Sequence, residues 1–308
     1  MAEQIYDLVI VGAGPAGLTA SIYASRYKVK HAVVGPLSGG TMTEAHRICN
    51  FPSEVSINGW ELAQKIETNA RGLGAEIIVS EVTEISGSYP EFLIKLASGQ
   101  NLTAKTILLA TGTKRRHLGD EKEQVLLGKG LAYCATCDGP FFKDKIVGVL
   151  GGGNSAATAV LYLADIAKEV YWIYSGATPN SAEPSWLEEI SKRANIKQQA
   201  NSRINKLLGE ERLTGVEINQ NGEMMELSLD GVFIEIGSDP ATGVFQTMGG
   251  QVDERGYIIV DNQQKTDLSG VWAAGDTTTA SNGLRQIITA CGEGAIAADS
   301  IFRFLQKK

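Results

Sequence analysis

Proline, cysteine and histidine are all scarce in this chain, and it has no excess of positive charge. Of 308 residues, 8 are proline, 4 are cysteine and 3 are histidine, and the formal net charge is −7. Low proline excludes a proline-rich disordered chain, and four cysteines are too few for a secreted disulfide scaffold of this length. A nucleic-acid-binding protein would normally carry a basic patch. We therefore expect no nucleic-acid partner.

The chain also lacks an unbroken apolar run of the kind that crosses a membrane. Leu8–Ser25 carries no charge, but three glycines and a proline interrupt it, unlike a signal peptide or a membrane helix. We interpret this stretch as a buried strand followed by a helix. The sequence therefore predicts a cytoplasmic protein without a membrane partner.

Glycine, by contrast, is abundant, with 35 residues against a usual level of about 7%. Its clusters belong to a pattern that occurs twice, at Asp7–Ala24 and at Lys145–Leu163. Each stretch has an apolar run, a glycine cluster, and then small and apolar residues at helical spacing. Each is followed later by an apolar strand that ends in glycine, at Ala104–Thr113 and Leu229–Pro240. The repeat predicts an α/β fold with two Rossmann-like, three-layer dinucleotide-binding domains.

The segment after Pro240 is too short to form a domain of its own. It contains an apolar strand within Ser269–Thr279 and a helical segment at Leu284–Phe304, and we expect both to pack on the first domain. The prediction is a discontinuous first domain, 1–118 and 246–308, with a second domain, 119–245, inserted in it.

The first glycine cluster, Gly12–Gly17, reads GAGPAG and follows a predicted strand directly. In a G-x-G-x-x-G fingerprint the glycines allow a tight turn, close approach to a pyrophosphate, and close packing of helix on strand. An NAD-binding unit would also place an acid at the end of its second strand. Here that strand, His31–Thr43, ends in glycines instead, which suggests that backbone amides wrap a larger ligand.

The second glycine cluster, Gly151–Ala156, reads GGGNSA and has the related G-x-G-x-x-A form. The 2′-phosphate of NADPH normally needs an arginine nearby, yet Glu169–Ser191 contains no lysine, arginine or histidine. NADH would need an acid at the strand end, where Tyr174–Gly176 lie. The sequence therefore provides well for neither nucleotide.

Cys134 and Cys137 form a C-x-x-C shortly before the second glycine cluster. The spacing suits a reversible disulfide, in which one thiolate attacks and the other resolves. The alternative is half of a zinc site, but zinc needs about four ligands, and Cys49 and Cys291 are far away in the sequence. We favour a redox pair, predict no metal, and expect the two isolated cysteines to be small buried residues. Asp138 is either a proton donor to a thiol or an acid of a turn or helix cap.

Taken together, these motifs resemble the low-molecular-weight thioredoxin reductases, which are two-domain flavoproteins. The resemblance covers almost the whole chain and is carried by GAGPAG, GGTMT, NFP (Asn50–Pro52), ATG (Ala110–Gly112), CATCDGPFF, GGGNSA, AAGD and RQIITACGEG. The CATCDG block before the second glycine cluster is the most specific motif, because other disulfide reductases carry their cysteine pair in the first domain.

The resemblance implies FAD in the first domain, a homodimer, and a domain rotation that alternately buries and exposes the cysteine pair. It implies that Cys137 takes electrons from FAD, that Cys134 attacks the disulfide of thioredoxin, and that Asp138 donates the proton. The residues it places around FAD are Gly12, Gly14, Pro15, Gly17, Gly35, Gly39, Gly40, Thr41, Asn50, Thr111, Gly112, Gly275, Asp276, Arg285, Gln286 and Ile287.

The chain departs from the NADPH-using members of that family. Where those members carry a His-Arg-Arg stretch, this chain has Tyr174–Gly176, and Thr158 and Ala159 replace acidic residues. We therefore expect a thioredoxin-disulfide reductase that takes its electrons from ferredoxin or another donor rather than from NADPH. Three alternatives stay open: an NADPH-dependent thioredoxin reductase with an atypical site, an FAD-dependent small-molecule dithiol oxidase, and a non-enzymatic flavin redox sensor.

Overall fold

The computed structural model describes residues 5–179 and 181–307. The chain forms two compact units, of which the second is Arg115–Ser238 and the first comprises the chain up to Lys114 and from Asp239 onward. The crossovers lie slightly earlier than the predicted positions 118/119 and 245/246. The Arg116 N–H donates to the Gly237 carbonyl at 3.0 Å, which ties the first crossover segment to the second unit. Phe245 is buried in the core of the first unit.

Both units contain strands and helices, and in each unit several strands follow one another without a helix between them. The strands are β1 (Ile5–Val11), β2 (His31–Gly35), β3 (Glu76–Val79), β4 (Val82–Ser88), β5 (Glu91–Leu96), β6 (Asn101–Leu109), β7 (Thr113–Arg115), β8 (Leu131–Ala132), β9 (Ile146–Leu150), β10 (Glu169–Ile173), β11 (Ile196–Gln199), β12 (Ser202–Leu208), β13 (Gly215–Gln220), β14 (Glu223–Ser228), β15 (Gly231–Ile234), β16 (Ser238–Pro240) and β17 (Val271–Ala273). The α-helices are α1 (Pro15–Arg26), α2 (Gly59–Gly72), α3 (Glu123–Leu126), α4 (Ala135–Asp138), α5 (Asn154–Ala164), α6 (Pro184–Ser191), α7 (Gly243–Thr247) and α8 (Ile287–Gln306).

The first unit is built on a sheet of order β3-β2-β1-β6-β5-β4, with β17 also paired to β6. Strands β3, β2, β1, β6 and β17 pair in parallel, and β4 and β5 are antiparallel additions. Because side chains alternate along a strand, Leu8 and Ile10 of β1 pack into one apolar cluster and Val9 and Val11 into another. Burying a side chain of this size stabilises the fold by about 1.5–3 kcal/mol.

Helices α1 and α8 lie against each other on one face of that sheet, in the cluster that contains Leu8 and Ile10. A Cβ at Gly294 of α8 would lie 2.2 Å from the backbone oxygen of Ala16 in α1, so only glycine permits this approach. The small side chains of Ala297 and Ala298 are buried in the same cluster. The close packing brings the start of α8 near the carboxyl ends of the central strands.

The second unit has a parallel sheet of order β11-β10-β9-β15-β8 and an antiparallel three-stranded sheet, β12-β13-β14. Its largest apolar cluster joins helix α5 to the parallel sheet around Trp172 and Phe233. The predicted fold class, α/β with two Rossmann-like domains and the second inserted in the first, is confirmed. None of the helices within the described residues has the length and apolarity that a membrane crossing requires.

Candidate active site

The turn from β1 to α1 forms the floor of the candidate cofactor site. Gly12 has φ +115°, and a Cβ there would lie 2.0 Å from the Ala110 carbonyl oxygen. A Cβ at Gly17 would lie 1.9 Å from the oxygen of Gly12. Gly14 differs, because no atom lies within 4 Å of the position a Cβ would take. Helix α1 begins at Pro15, and no side chain caps its first turn, so its N-terminal amides and the space above Gly14 suit an anion such as a pyrophosphate.

A second glycine turn lies against the first. Strand β2 ends at Gly35, and the Gly39 N–H donates to the Ala13 carbonyl at 2.7 Å. The Cβ position of Gly40 is 3.1 Å from the Cα of Gly14, and Thr41 follows, exposed. The predicted cofactor residues of these two stretches therefore lie together.

The carboxyl ends of β6 and β17 complete the same edge of the sheet. The two strands pair in parallel, so Thr111–Gly112 and Gly275–Asp276 follow them at one edge, where open α/β sheets bind ligands. The side-chain oxygens of Thr111 and Thr277 are 3.3 Å apart. Burial raises the pKa of Asp276 to about 6, a shift that the Arg285 guanidinium opposes.

A buried carboxylate, Glu293 of α8, holds the loop that follows β17. It accepts hydrogen bonds from the Gly275 N–H at 2.7 Å, the Thr278 hydroxyl at 3.2 Å and the Ser281 hydroxyl at 2.6 Å. Glu293 was not among the predicted site residues, although it lies in the RQIITACGEG motif. Its partners could not be predicted from local patterns, because they lie 12 to 18 residues earlier in the chain.

The segment before α8 supplies the remaining predicted cofactor residues. The guanidinium of Arg285 lies 3.8 Å from the ring centroid of Tyr257, and its buried Nε has no hydrogen-bond partner. Gln286 caps α8, and its side-chain oxygen accepts from the Asn50 amide at 3.0 Å. Ile287 begins the helix and packs, partly buried, against a small apolar cluster. All the predicted cofactor residues thus lie in the first unit.

These residues fit FAD on three separate grounds. The space at Gly14 admits a pyrophosphate, the amides of α1 have no side-chain cap, and the buried Nε of Arg285 is a donor that lacks an acceptor within the protein. A buried donor without an acceptor costs roughly 1–3 kcal/mol, so a polar cofactor group at Arg285 would relieve that cost.

The cysteine pair lies in the second unit, with Cys134 between β8 and α4 and Cys137 within α4. Cys134 and Cys137 form a disulfide with their Cα atoms 5.3 Å apart. Cys134 is the N-cap of α4, and its Sγ accepts a hydrogen bond from the Cys137 N–H at 3.1 Å. Such a donor stabilises a thiolate more than a thiol. Once the disulfide is reduced, this contact would therefore favour the thiolate form of Cys134.

Asp138 ends helix α4 and is half-buried. Burial raises the pKa of its carboxyl above the ordinary value, which favours the protonated form that a proton donor needs. Of the two isolated cysteines, Cys291 is partly buried but Cys49 is exposed. The expectation of a buried Cys49 is wrong because the preceding residue, Ile48, points into the core, and alternate side chains of an extended segment face opposite ways.

The second glycine cluster is occupied by its own chain. Asn154, the first residue of α5, donates from Nδ2 to the Glu183 carboxylate at 2.9 Å, and its Oδ1 accepts from the Glu183 N–H at 2.7 Å. Ser181 forms a bridge with Gly153, and the Cα of Pro179 is 3.8 Å from the Cβ position of Gly152. The Glu183 carboxylate, together with Ser181 and Pro179, therefore lies at the start of α5, where a dinucleotide phosphate would bind.

Three aromatic residues, Tyr171, Trp172 and Tyr174, lie in strand β10 or directly after it. Buried Trp172 donates from Nε1 to the Gly151 carbonyl at 2.7 Å. Tyr174 takes the place at the strand end where an NADPH site needs arginine, and its hydroxyl donates to Gln198 at 2.7 Å. These contacts fix the aromatic side chains within the second unit.

Residues 6–294 match the sequence profile of one known family, the pyridine nucleotide-disulphide oxidoreductases. The chain belongs to this family.

Several relatives within the pyridine nucleotide-disulphide oxidoreductase family are thioredoxin reductases. That of Treponema pallidum is 36% identical over 307 residues, which cover 98% of this chain and 98% of that protein. Among solved structures, Lactococcus lactis thioredoxin reductase has a TM-score of 0.94 at 32% identity and covers 98% of this chain and 100% of its own. T. acidophilum thioredoxin reductase has a TM-score of 0.92 at 37% identity, with coverages of 98% and 99%.

These similarities confirm the predicted resemblance. The protein is a flavin-dependent disulfide oxidoreductase of the low-molecular-weight thioredoxin reductase type within its family.

Proposed function

We propose that this protein is a thioredoxin-disulfide reductase in which the Cys134–Cys137 pair transfers electrons from FAD to thioredoxin. The observation that carries the proposal is the position of Cys134 at the N-cap of α4, with the Cys137 N–H on its sulfur. This arrangement suits a nucleophilic Cys134 and a resolving Cys137 three residues later.

FAD, when bound, supplies the two electrons that reduce the Cys134–Cys137 disulfide. We propose that the glycine turns at Gly12–Gly17 and Gly35–Thr41 hold its nucleotide part. Asn50 and Arg285–Ile287 would hold its ring, with Asp276 on the ribitol and phosphate side. Glu293 would act on the site indirectly, since it fixes the backbone of Gly275.

Thiol–disulfide exchange with thioredoxin then proceeds in two steps. The Cys134 thiolate attacks one sulfur of the thioredoxin disulfide, so that a mixed disulfide forms and the first thioredoxin thiolate leaves. The Cys137 thiolate next attacks the Cys134 sulfur, which restores the Cys134–Cys137 disulfide and releases the second thioredoxin thiolate. The two protons lost by the cysteine thiols end on thioredoxin. Asp138 directly follows Cys137, and burial raises the pKa of its carboxyl, so we propose that it carries one of these protons.

A protein substrate is supported by an exposed aromatic residue next to the pair. Phe141 is 81% exposed and follows Asp138 by three residues, whereas its neighbour Phe142 is buried in the core. Exposed aromatic side chains are frequent anchors in protein–protein interfaces. We propose that Phe141 contacts thioredoxin. The family resemblance also supports a homodimer, which sedimentation of the flavin-loaded protein would test.

For the electron donor, we propose ferredoxin or another reductant in place of NADPH. Support comes from the Glu183 carboxylate at the second glycine cluster, because a negative charge there repels a pyrophosphate. Ser181, which forms a bridge with Gly153, lies beside the same cluster. Further support comes from Tyr174 at the strand end and from a sequence without basic residues across Glu169–Ser191.

The exchange mechanism is tested with the Cys137→Ser variant, which cannot resolve a mixed disulfide. Mixed with oxidised thioredoxin, it should accumulate a disulfide-linked complex through Cys134, visible by non-reducing electrophoresis and mass spectrometry. Cys134→Ser and Cys49→Ser serve as controls. If Cys134→Ser traps thioredoxin and Cys137→Ser does not, the assigned roles are reversed, and if neither traps it the proposed function is refuted.

The donor proposal is tested by anaerobic stopped-flow mixing of the flavin-loaded protein with NADPH or NADH. We expect the flavin absorbance to stay unchanged over seconds. Rapid bleaching by micromolar NADPH would refute this part while leaving the thioredoxin part intact.

A further inference from the structure

A cluster of hydrogen-bonded side chains around Glu123 in the second unit has no part in the steps above. Glu123 begins α3 and is 5% exposed. Its carboxylate accepts hydrogen bonds from His117 Nδ1 at 2.5 Å, from the Gly119 N–H at 2.7 Å and from the Tyr133 hydroxyl. A buried carboxylate is costly unless it is hydrogen-bonded, and three donors here meet that requirement.

The charge state of this cluster follows from its contacts. Burial alone would raise the pKa of Glu123, but the hydrogen bonds from Tyr133, His117 and Gly119 outweigh it and leave that pKa below its ordinary value. Burial and the Glu123 carboxylate together raise the pKa of Tyr133 to about 12. Tyr133 therefore remains a donor, and Glu123 an ionised acceptor, at neutral pH.

The cluster ends at Tyr133, the residue directly before Cys134. The Tyr133 hydroxyl also accepts from the Leu118 N–H at 3.3 Å. The ring of His117 packs edge-on against that of Tyr133, with centroids 5.3 Å apart. Segment 117–119 and the start of α3 are thereby joined to the residue that leads into the disulfide.

The chain that leads into Cys134 has little regular secondary structure. Strand β8 is only two residues long, with Leu131 and Ala132 paired to β15. After Cys134 comes α4, a single turn that contains Cys137. Opening the disulfide removes the covalent link between Cys134 and Cys137. Cys134 is then held through its two neighbours, the hydrogen-bonded Tyr133 before it and the buried Ala135 after it.

We propose that the Glu123–Tyr133 hydrogen bond positions Cys134, so that its sulfur stays on the Cys137 N–H after the disulfide opens and remains a reactive thiolate. The proposal rests on the assigned role of Cys134 as attacking thiol. Glu123 and Tyr133 are positioning residues, since they act on the reaction only through the backbone of Cys134. Besides Glu123, the charged group that acts on Tyr133 is Arg115, which forms an ion pair with Glu235 at 3.0 Å. The charged group nearest in sequence to the Cys134–Cys137 pair is Asp138.

The test measures the pH dependence of Cys134 alkylation by iodoacetamide, read by peptide mass spectrometry in the reduced Cys137→Ser protein. Adding Tyr133→Phe should raise the midpoint of the profile by about one pH unit, and so slow alkylation near neutral pH about tenfold. Glu123→Gln should shift it in the same direction. A purely structural role would change the melting temperature without moving this midpoint.

Matched controls come from a similar pair elsewhere in the second unit. Tyr171 has its pKa raised by burial and by Glu169, and both residues lie in β10. Tyr171→Phe and Glu169→Gln should leave the Cys134 midpoint unchanged.

An unchanged midpoint in a folded Tyr133→Phe protein would overturn the positioning proposal, and Glu123→Gln decides it if Tyr133→Phe does not fold. Trapping of thioredoxin by the Cys137→Ser parent is scored separately. Its failure therefore counts against the proposed function and not against the positioning of Cys134.

Discussion

Substituting Gly14 by alanine separates the demands of the fold from the demands of the cofactor. Gly14 is the N-cap of α1 with φ −78° and ψ −173°, a conformation that alanine adopts readily, and no atom lies within 4 Å of the added Cβ. The free energy of unfolding of the apoprotein should therefore change by less than about 1 kcal/mol. Gly17→Ala should instead prevent folding, because its Cβ would lie 1.9 Å from the oxygen of Gly12.

The same methyl group at position 14 stands where we place the FAD pyrophosphate. Pushing the phosphate away should cost at least one charge-assisted hydrogen bond from the backbone, about 1.5–3 kcal/mol. The dissociation constant for FAD should then rise about 10- to 150-fold.

The assay is a titration of apoprotein with FAD, followed by flavin fluorescence, together with urea unfolding of the apo form. Gly72→Ala is the matched control, since Gly72 lies near the end of α2 and its Cβ position is also open. It should retain normal FAD affinity. The assignment of the cofactor site would be refuted if Gly14→Ala bound FAD as tightly as the wild type, or if Gly72→Ala lost affinity equally.

Three further outcomes follow from other contacts. Glu293→Ala removes a buried acceptor of three hydrogen bonds, so urea unfolding should show a loss of about 3 kcal/mol; a loss below 1 kcal/mol would contradict the role of Glu293. Burial lowers the pKa of His31 below its ordinary value, so the unfolded chain takes up its proton first. Stability should be full above about pH 6.5 and fall as the pH drops below it. His31→Asn should reduce that slope, and equal slopes in both proteins would argue against the effect. Phe141→Ala should raise KM for thioredoxin about fivefold or more with little change in kcat, and an unchanged KM would remove Phe141 from the interface.

Local sequence patterns predicted the two glycine turns of the candidate cofactor site, whereas Asn50, Asp276 and Arg285–Ile287 were assigned only through the family resemblance. The spacing of Gly12, Gly14 and Gly17 after an apolar run predicts a strand, a tight turn and a helix. These three elements follow one another directly in the sequence, so a local pattern is sufficient to predict them. The pairing of β6 with β17 brings Thr111 and Gly275 to one sheet edge, whereas the sequence predicted only that the strand within Ser269–Thr279 packs on the first domain.

The features of the fold and of the site that were not predicted depend on contacts between residues far apart in the sequence, which local patterns do not encode. The Asn154–Glu183 hydrogen bonds cover the second glycine cluster, whereas the sequence indicated only that basic residues were missing there. The first crossover lies at Lys114–Arg115, and the hydrogen bond from the Arg116 N–H to the Gly237 carbonyl joins the two ends of the inserted unit. The Glu123–Tyr133 contact likewise joins residues whose relation appears only in the fold.

The most direct test of the central claim is the formation of thioredoxin thiols by the flavin-loaded protein under anaerobic conditions, with each electron donor supplied in turn. We predict that reduced ferredoxin supports the appearance of two thiols per thioredoxin, and that the reaction needs both Cys134 and Cys137. NADPH at the same concentration should support none. Sustained reduction with NADPH would contradict the proposed donor, and an absence of thiols even with a chemically reduced flavin would contradict the proposed function itself.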